Sequence, residues 1–247
     1  MTMGEKKKIG VITQVRMSST RLPKKIMKLI LGKPMLVLFL ERLKRMGSVD
    51  EIIVATTTEK EDDIIVKTIK DYDDKIKVYR GSMDDVLDRY YKAAKTFGVD
   101  IVVRITSDCP LIDPKVSDTV IENFISEDCD YCCNNISPRT YPHGLDTEVF
   151  SFKSLERAWK EAKEGTEREH VTPYIRGNPK KFQITEVKYR KIMGYLRWTV
   201  DYPEDFEFVK AIFERLYPTN RNFGMEDILQ LLQKEPELNE INKKYAV

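Results

Sequence analysis

The sequence predicts an α/β chain built on an open, doubly wound, mostly parallel sheet with an inserted arm, and three observations carry that expectation. Short apolar runs rich in β-branched residues recur at Ile9–Thr13, Ile52–Thr56 and Ile101–Ile105. Stretches with apolar residues at helical spacing separate them. The runs are continuously apolar, as strands covered on both faces must be, and this is the mark of a parallel sheet flanked by helices. Ligands of such sheets bind beyond the carboxyl ends of the strands.

Taken in order, Ile9–Thr13 is the first strand, followed by a polar loop and a helix from about Pro34 to Met46. Ile52–Thr56 is the second strand, and Ile64, Ile65 and Ile69 mark the next helix. A short strand at Ile76–Tyr79 precedes an amphipathic helix carrying Val86, Leu87, Tyr90, Tyr91 and Ala94. Its opening acids Asp84, Asp85 and Asp88 suit a helix N-terminus. Ile101–Ile105 is a further buried strand. Beyond Tyr131 the pattern loosens: a loop with Pro138, Pro142 and Gly144 leads to a strand at Thr147–Phe150. Helices are expected at Ser151–Lys163 and Glu167–Arg176, and strands at Phe182–Val187 and Arg197–Val200, the last returning to the sheet. Pro203, with Asp201 ahead of it and Glu204 and Asp205 beside it, opens a helix. Another begins at Met225. There is no repeat or flexible linker, so residues 1–247 read as one domain, with the arm at about 134–195.

The chain is 41% hydrophobic and 33% charged, as expected of a folded globular protein. A net charge of +2 supplies no global field for nucleic acid. The longest apolar stretch, near Met35–Leu40, falls far short of the roughly 20 residues of a membrane span. The lysine-rich start has no apolar signal core, so a cytoplasmic location is expected. The four cysteines should then be reduced. Cys129, Cys132 and Cys133 offer one pair-like spacing where a structural zinc site wants four ligands, and His143 and His170 lie elsewhere, so buried thiols in a strand are the expected reading.

The first strand runs into Gln14–Lys25, where Arg16, Arg21, Lys24 and Lys25 lie within ten residues of one another together with Ser18, Ser19 and Thr20. Such a set neutralises a polyanion and holds its oxygens by several donors at once. The glycine spacing of a Walker loop or a dinucleotide turn is absent. Two aspartates are expected at strand ends near this loop: Asp108 before Cys109-Pro110, and Asp201 before the Pro203 helix. Alone, each could be only a turn or cap residue. Together, facing a triphosphate, they suit a small hard cation such as magnesium.

The loop motif, continued by Gly32-Lys33-Pro34-Met35, resembles the opening of the cytidylyltransferases that activate 3-deoxy-sugar acids, the CMP-KDO and CMP-sialic acid synthetases among them. The chain is most similar to the spore coat polysaccharide biosynthesis protein F branch of that group. The likeness continues through Arg80–Tyr91, Arg104–Asp113, Gly144–Phe150, Arg168–Tyr174 and Leu196–Asp205. It implies a Rossmann-like nucleotide-transferase sheet, CTP as donor, magnesium, and a homodimer built through the arm, with neither nucleic acid nor membrane as partner.

The resemblance places metal ligands at Asp108 and Asp201. It gives Arg16, Ser19, Arg21 and Lys25 to the nucleotide, while Lys24 is expected in solvent. Arg16, Lys25 and Asp108 are the expected catalytic set. Arg80, Ser82 and Thr106 are candidates to read cytosine. In the arm, His143, Asp146, Glu148, Arg168 and His170 are candidates for the acceptor, expected to be an acidic sugar, and equally for structural ion pairs. Trp198 is expected in the core. A phosphonate or polyol phosphate acceptor, or a binding module without turnover, are the competing expectations.

Overall fold

The computed structural model describes residues 6–246. Strand β1 (Ile9–Gln14) is followed by a two-stranded hairpin, β2 (Leu29–Ile30) and β3 (Lys33–Pro34), and helix α1 (Met35–Leu43). Next come β4 (Glu51–Thr57), α2 (Asp63–Tyr72), β5 (Lys77–Gly81), α3 (Val86–Phe97), β6 (Ile101–Arg104) and α4 (Pro114–Ser126). The chain continues through β7 (Tyr131–Cys133), β8 (Glu148–Ser151), α5 (Phe152–Glu161), α6 (Gly165–His170), α7 (Pro173–Gly177) and β9 (Ile184–Glu186). Helices α8 (Pro203–Leu216) and α9 (Met225–Lys234) complete it, with short 3-10 turns between and after.

Seven strands form one sheet in the order β5-β4-β1-β6-β8-β7-β9. All neighbours run parallel except β8, which is antiparallel to both β6 and β7. Successive side chains of a strand point to opposite faces, and this alternation builds two cores. Val11, Val54, Val103 and Val149 pack under α1, α2, α4, α8 and α9. Ile12, Ile53, Val102 and Phe150 pack against α3, α5 and the 171–175 turn. The expected mostly parallel, doubly wound sheet is therefore the fold, and β1, flanked by β4 and β6, marks where the strand order reverses.

Three local expectations change. Helix α4 was not expected from the sequence, yet its start is well specified: the Asp113 side chain accepts from the backbone N–H of Lys115 at 2.8 Å, and Pro114 takes the first turn. The helix expected over Glu167–Arg176 is two, α6 and α7. Val171 breaks it with φ 71°, and Pro173 has no N–H with which to continue the ladder. Arg197–Val200 is extended but is not a strand of the sheet. Both edges of β6 are already paired, with β1 and β8, so this segment bonds to two turns instead: Trp198 N to His143 O at 2.6 Å and Val200 N to Asp108 O at 2.7 Å.

Of the 134–195 segment, β8 and β9 enter the central sheet while α5 to α7 follow β8. Cys132 and Cys133 lie buried in β7, and all four cysteines are free thiols. No group of three or more potential metal-ligating side chains gathers anywhere among the described residues. None of the described helices is long and apolar enough to cross a membrane.

Candidate active site

The site lies at the carboxyl ends of β1 and β6. Leaving β1, the chain is tied down at Val15, whose N–H reaches Ala55 O at 3.1 Å, and at Met17, whose N–H is accepted by Asp62 Oδ1 at 2.7 Å. Asp62 is buried, and its other oxygen accepts from the hydroxyls of Thr56 and Thr57. Met17 and Leu22 are buried beneath the loop, so its basic residues project from a fixed base. Arg16, Arg21 and Lys24 are exposed, and Ser19 is half-buried.

Lys25 turns inward. Its ammonium donates to Val200 O at 2.6 Å and lies 3.1 Å from Asp201 Oδ1 and 3.6 Å from Asp108 Oδ2. The structure thus brings the two candidate metal ligands to one cation of the loop. Arg21 reaches Asp201 Oδ1 at 3.0 Å and stands over the Tyr202 ring. Arg197 contacts Asp201 Oδ2 at 3.1 Å and also grips the fully buried Asp205, whose carboxylate accepts the N–H groups of Asp201 and Tyr202. Burial pushes the Asp201 carboxyl up, but Lys25, then Arg21 and Arg197, outweigh it and hold it below the ordinary value.

The 196–200 segment joins the Asp108 turn to the 143 turn. His143 N donates to Leu196 O at 2.9 Å. Gly144, at φ 118°, permits this approach, because a Cβ there would stand 2.6 Å from the Trp198 carbonyl carbon. His143 and Asp146 are thereby carried alongside Asp108. Burial lowers the pKa of His143, and although the Asp146 and Asp108 carboxylates pull it up, Arg139 and Arg197 work with burial and the net shift is downward. Arg139 Nη1 contacts both Asp146 oxygens, at 2.7 and 2.8 Å. A cleft of about 480 Å³ opens between this segment and α9, and it shares only Arg197 with the cluster around Asp201.

Of the remaining candidates, Thr106 belongs to the Asp108 turn, and the others make contacts of their own. Glu148 is buried on β8 opposite Arg104, and its carboxylate is taken by Arg104, by the Tyr131 hydroxyl and by Thr172 Oγ1 at 2.7 Å. Arg168 pairs with Asp85 at 2.6 Å, fastening α6 to the start of α3, and His170 is exposed at the end of α6. Arg80 donates to Thr57 O and Glu59 O and pairs with Asp63 at 2.6 Å. Ser82 Oγ accepts from Asp85 N, and Thr106 Oγ1 lies 3.4 Å from Cys109 Sγ. Arg80 is thus spent on the 57–63 turn, while Ser82 and Thr106 each make one local contact.

Asp62, Arg197 and Asp205 frame the site, yet the sequence marked Asp205 only as part of a helix start and Arg197 only as the start of a strand. Asp62 stands within the charge run Glu59-Lys-Glu-Asp-Asp63, which reads as a solvated helix start. Only the fold shows that one member of the run points inward.

A family model described as cytidylyltransferase matches residues 10–241, from the first strand to the final turns. The chain belongs to the cytidylyltransferase family. It is therefore a nucleotidyltransferase. An uncharacterized protein of Methanocaldococcus jannaschii is 39% identical over 95% of this chain and 93% of its own length. Spore coat polysaccharide biosynthesis protein SpsF of Bacillus subtilis is 29% identical over 92% and 94%. Among solved structures, a cytidylyltransferase from Leptospira borgpetersenii superposes with a TM-score of 0.89 at 34% identity, covering 94% of this chain and 97% of its own.

Proposed function

We propose that this cytidylyltransferase transfers CMP from CTP to an acidic sugar, a nonulosonic acid foremost, with release of pyrophosphate, for the synthesis of a surface polysaccharide or glycan. The observation that carries the reading is the convergence of Asp108, Asp201 and Lys25 beneath a loop that also bears Arg16 and Arg21.

Asp108 and Asp201 both face the Lys25 ammonium, and no group of three or more potential metal-ligating side chains forms among the described residues. That donor set fits magnesium, which is held by one or two carboxylates and completes its shell with phosphate oxygens and water. Asp108 and Asp201 would hold it; when bound it polarises the α-phosphate and lowers the acceptor hydroxyl's pKa.

The chain's own residues position and neutralise. Arg16, Arg21 and Lys25 meet the triphosphate, and Ser19 adds a hydroxyl. The acceptor hydroxyl gives its proton to solvent, and its oxygen forms a bond to the α-phosphorus as the bond from that phosphorus to the β-phosphate oxygen breaks. The electron pair leaves on pyrophosphate, whose charge Lys25 and Arg16 balance. His143 and the Asp146–Arg139 pair line the acceptor side and offer hydrogen bonds to sugar hydroxyls. No covalent enzyme intermediate is needed. The proposal includes a homodimer, as the resemblance implies, in the cytoplasm.

Pyrophosphate release measured with CTP and a panel of acceptors tests this. Release with nonulosonic acids, and little with KDO, phosphonates or polyol phosphates, is the expected result. Release with a phosphonate or polyol phosphate alone would overturn the acceptor assignment. Tight CTP binding without release for any acceptor would overturn turnover itself.

A further inference from the structure

We propose that Gln14 reads the cytosine ring, its side-chain amide nitrogen donating to the ring acceptor N3, beside O2. The inference rests on CTP being the donor and names the residue that selects it.

Gln14 is the last residue of β1, a polar side chain closing an apolar strand. It stands where the strand order reverses, and crevices at such points take the ligand of an open α/β sheet. Three contacts fix it there. Its backbone lies in register with Ala55 of β4, and its carbonyl accepts from Ser107 Oγ at 2.8 Å across the gap to the β6 end. Its side-chain oxygen accepts from the Tyr90 hydroxyl. Tyr90 is fully buried and also lies 3.0 Å from Ile12 O. Burial pushes its pKa up to about 12, so the hydroxyl keeps its proton throughout the working range.

With the amide oxygen held inward, the amide nitrogen is left as a donor. It has no partner among the described residues, and it is not sealed from solvent. Of the residues expected to read the base, Arg80 is spent on the 57–63 turn, whereas Ser82 accepts from Asp85 N and Thr106 faces Cys109. Ser107 is engaged with Gln14 itself. Gln14 is thus a pre-oriented donor at the nucleotide end of the sheet.

Its chemistry discriminates. Cytosine presents two neighbouring acceptors, O2 and N3. Uracil keeps O2 but carries a proton on N3, which sets donor against donor. A buried donor facing another donor loses its hydrogen bond and keeps its desolvation penalty.

The test is calorimetric binding of CTP and UTP to the wild type, Gln14→Glu and Gln14→Ala, with melting curves as the fold control. Gln14→Glu has the same shape and retains an acceptor for Tyr90, so it carries the test even where the alanine variant does not fold. A carboxylate cannot donate to O2 or N3. The preference for CTP over UTP should fall by about 10- to 100-fold in a folded variant. An unchanged ratio would overturn the role of Gln14. A wild type that binds UTP as well as CTP would instead overturn the choice of donor, whatever the variants do.

Discussion

Lys25 and Asp201 form the central contact of this protein: an ammonium and a carboxylate 3.1 Å apart, one from the loop after the first strand and one from the turn before α8. The same ammonium lies 3.6 Å from Asp108. The cation that balances the phosphates of the proposed reaction therefore rests on the two carboxylates proposed to hold the metal. When triphosphate and metal arrive together, each opposite charge gains a partner and none is left unpaired.

Arg16 is exposed and extends from a base tied down by its neighbours, so its loss should leave the fold intact. Arg16→Ala should weaken CTP binding by about 1.5–3 kcal/mol, the range for a hydrogen bond to a charged group, and CMP binding much less. Calorimetry with both nucleotides checks this. Equal weakening of the two would remove Arg16 from the terminal phosphates.

Asp62 acts on the nucleotide only through the loop it holds. Asp62→Ala leaves the Met17 N–H and two threonine hydroxyls without their acceptor. A loss of stability of about 1–3 kcal/mol is expected, together with a raised KM for CTP. A denaturation curve and initial rates measure the two. A stability loss with unchanged KM would mean that the loop keeps its shape without this anchor.

Gly144 permits two backbone segments to touch. Gly144→Ala would place a methyl group 2.6 Å from a backbone carbon, at a φ that L side chains rarely adopt. The expected cost is at least about 1–3 kcal/mol, with turnover lowered further because Trp198–Val200 carries Asp201. Urea unfolding and pyrophosphate release should both respond.

Glu148 is expected to serve stability rather than the acceptor. Burial raises its pKa, but Arg104 and the Tyr131 and Thr172 hydroxyls outweigh this and hold it below the ordinary glutamate value. A carboxyl with a depressed folded pKa contributes stability that is present above its unfolded pKa. That stability is lost as pH falls through the folded value. Glu148→Gln should therefore cost about 3–5 kcal/mol at pH 7 by stranding Arg104, and the gap to wild type should close below pH 4.5. Stability curves across that range decide it. A raised acceptor KM at unchanged stability would return Glu148 to the acceptor site.

The central strands β1, β4 and β6 were legible because burial on both faces leaves a continuous apolar run, whereas Arg197–Val200 is buried without joining the sheet. Helix α4 was overlooked although Asp113-Pro114 announces it, since its apolar positions are interrupted by Ser117 and Thr119. The phosphate loop and the two aspartates could be read as residue types. Their convergence could not, because Lys25 meets Val200 and Asp201 across most of the chain. Glu148 and Arg168 looked available for the same reason: the partners that consume them, Arg104 and Asp85, are distant in sequence and adjacent only in the fold.

The most direct measurement is magnesium-dependent pyrophosphate release from CTP by Asp108→Asn and Asp201→Asn, each with a melting curve. Both variants should remain folded, since neither carboxylate is the sole partner of a buried charge: Lys25 keeps Val200 O, and Arg197 keeps Asp205. Both should lose turnover by about a hundredfold or more, the scale of removing one charge-stabilising group from a reaction centre. Full turnover by either folded variant would contradict the proposed metal–triphosphate site.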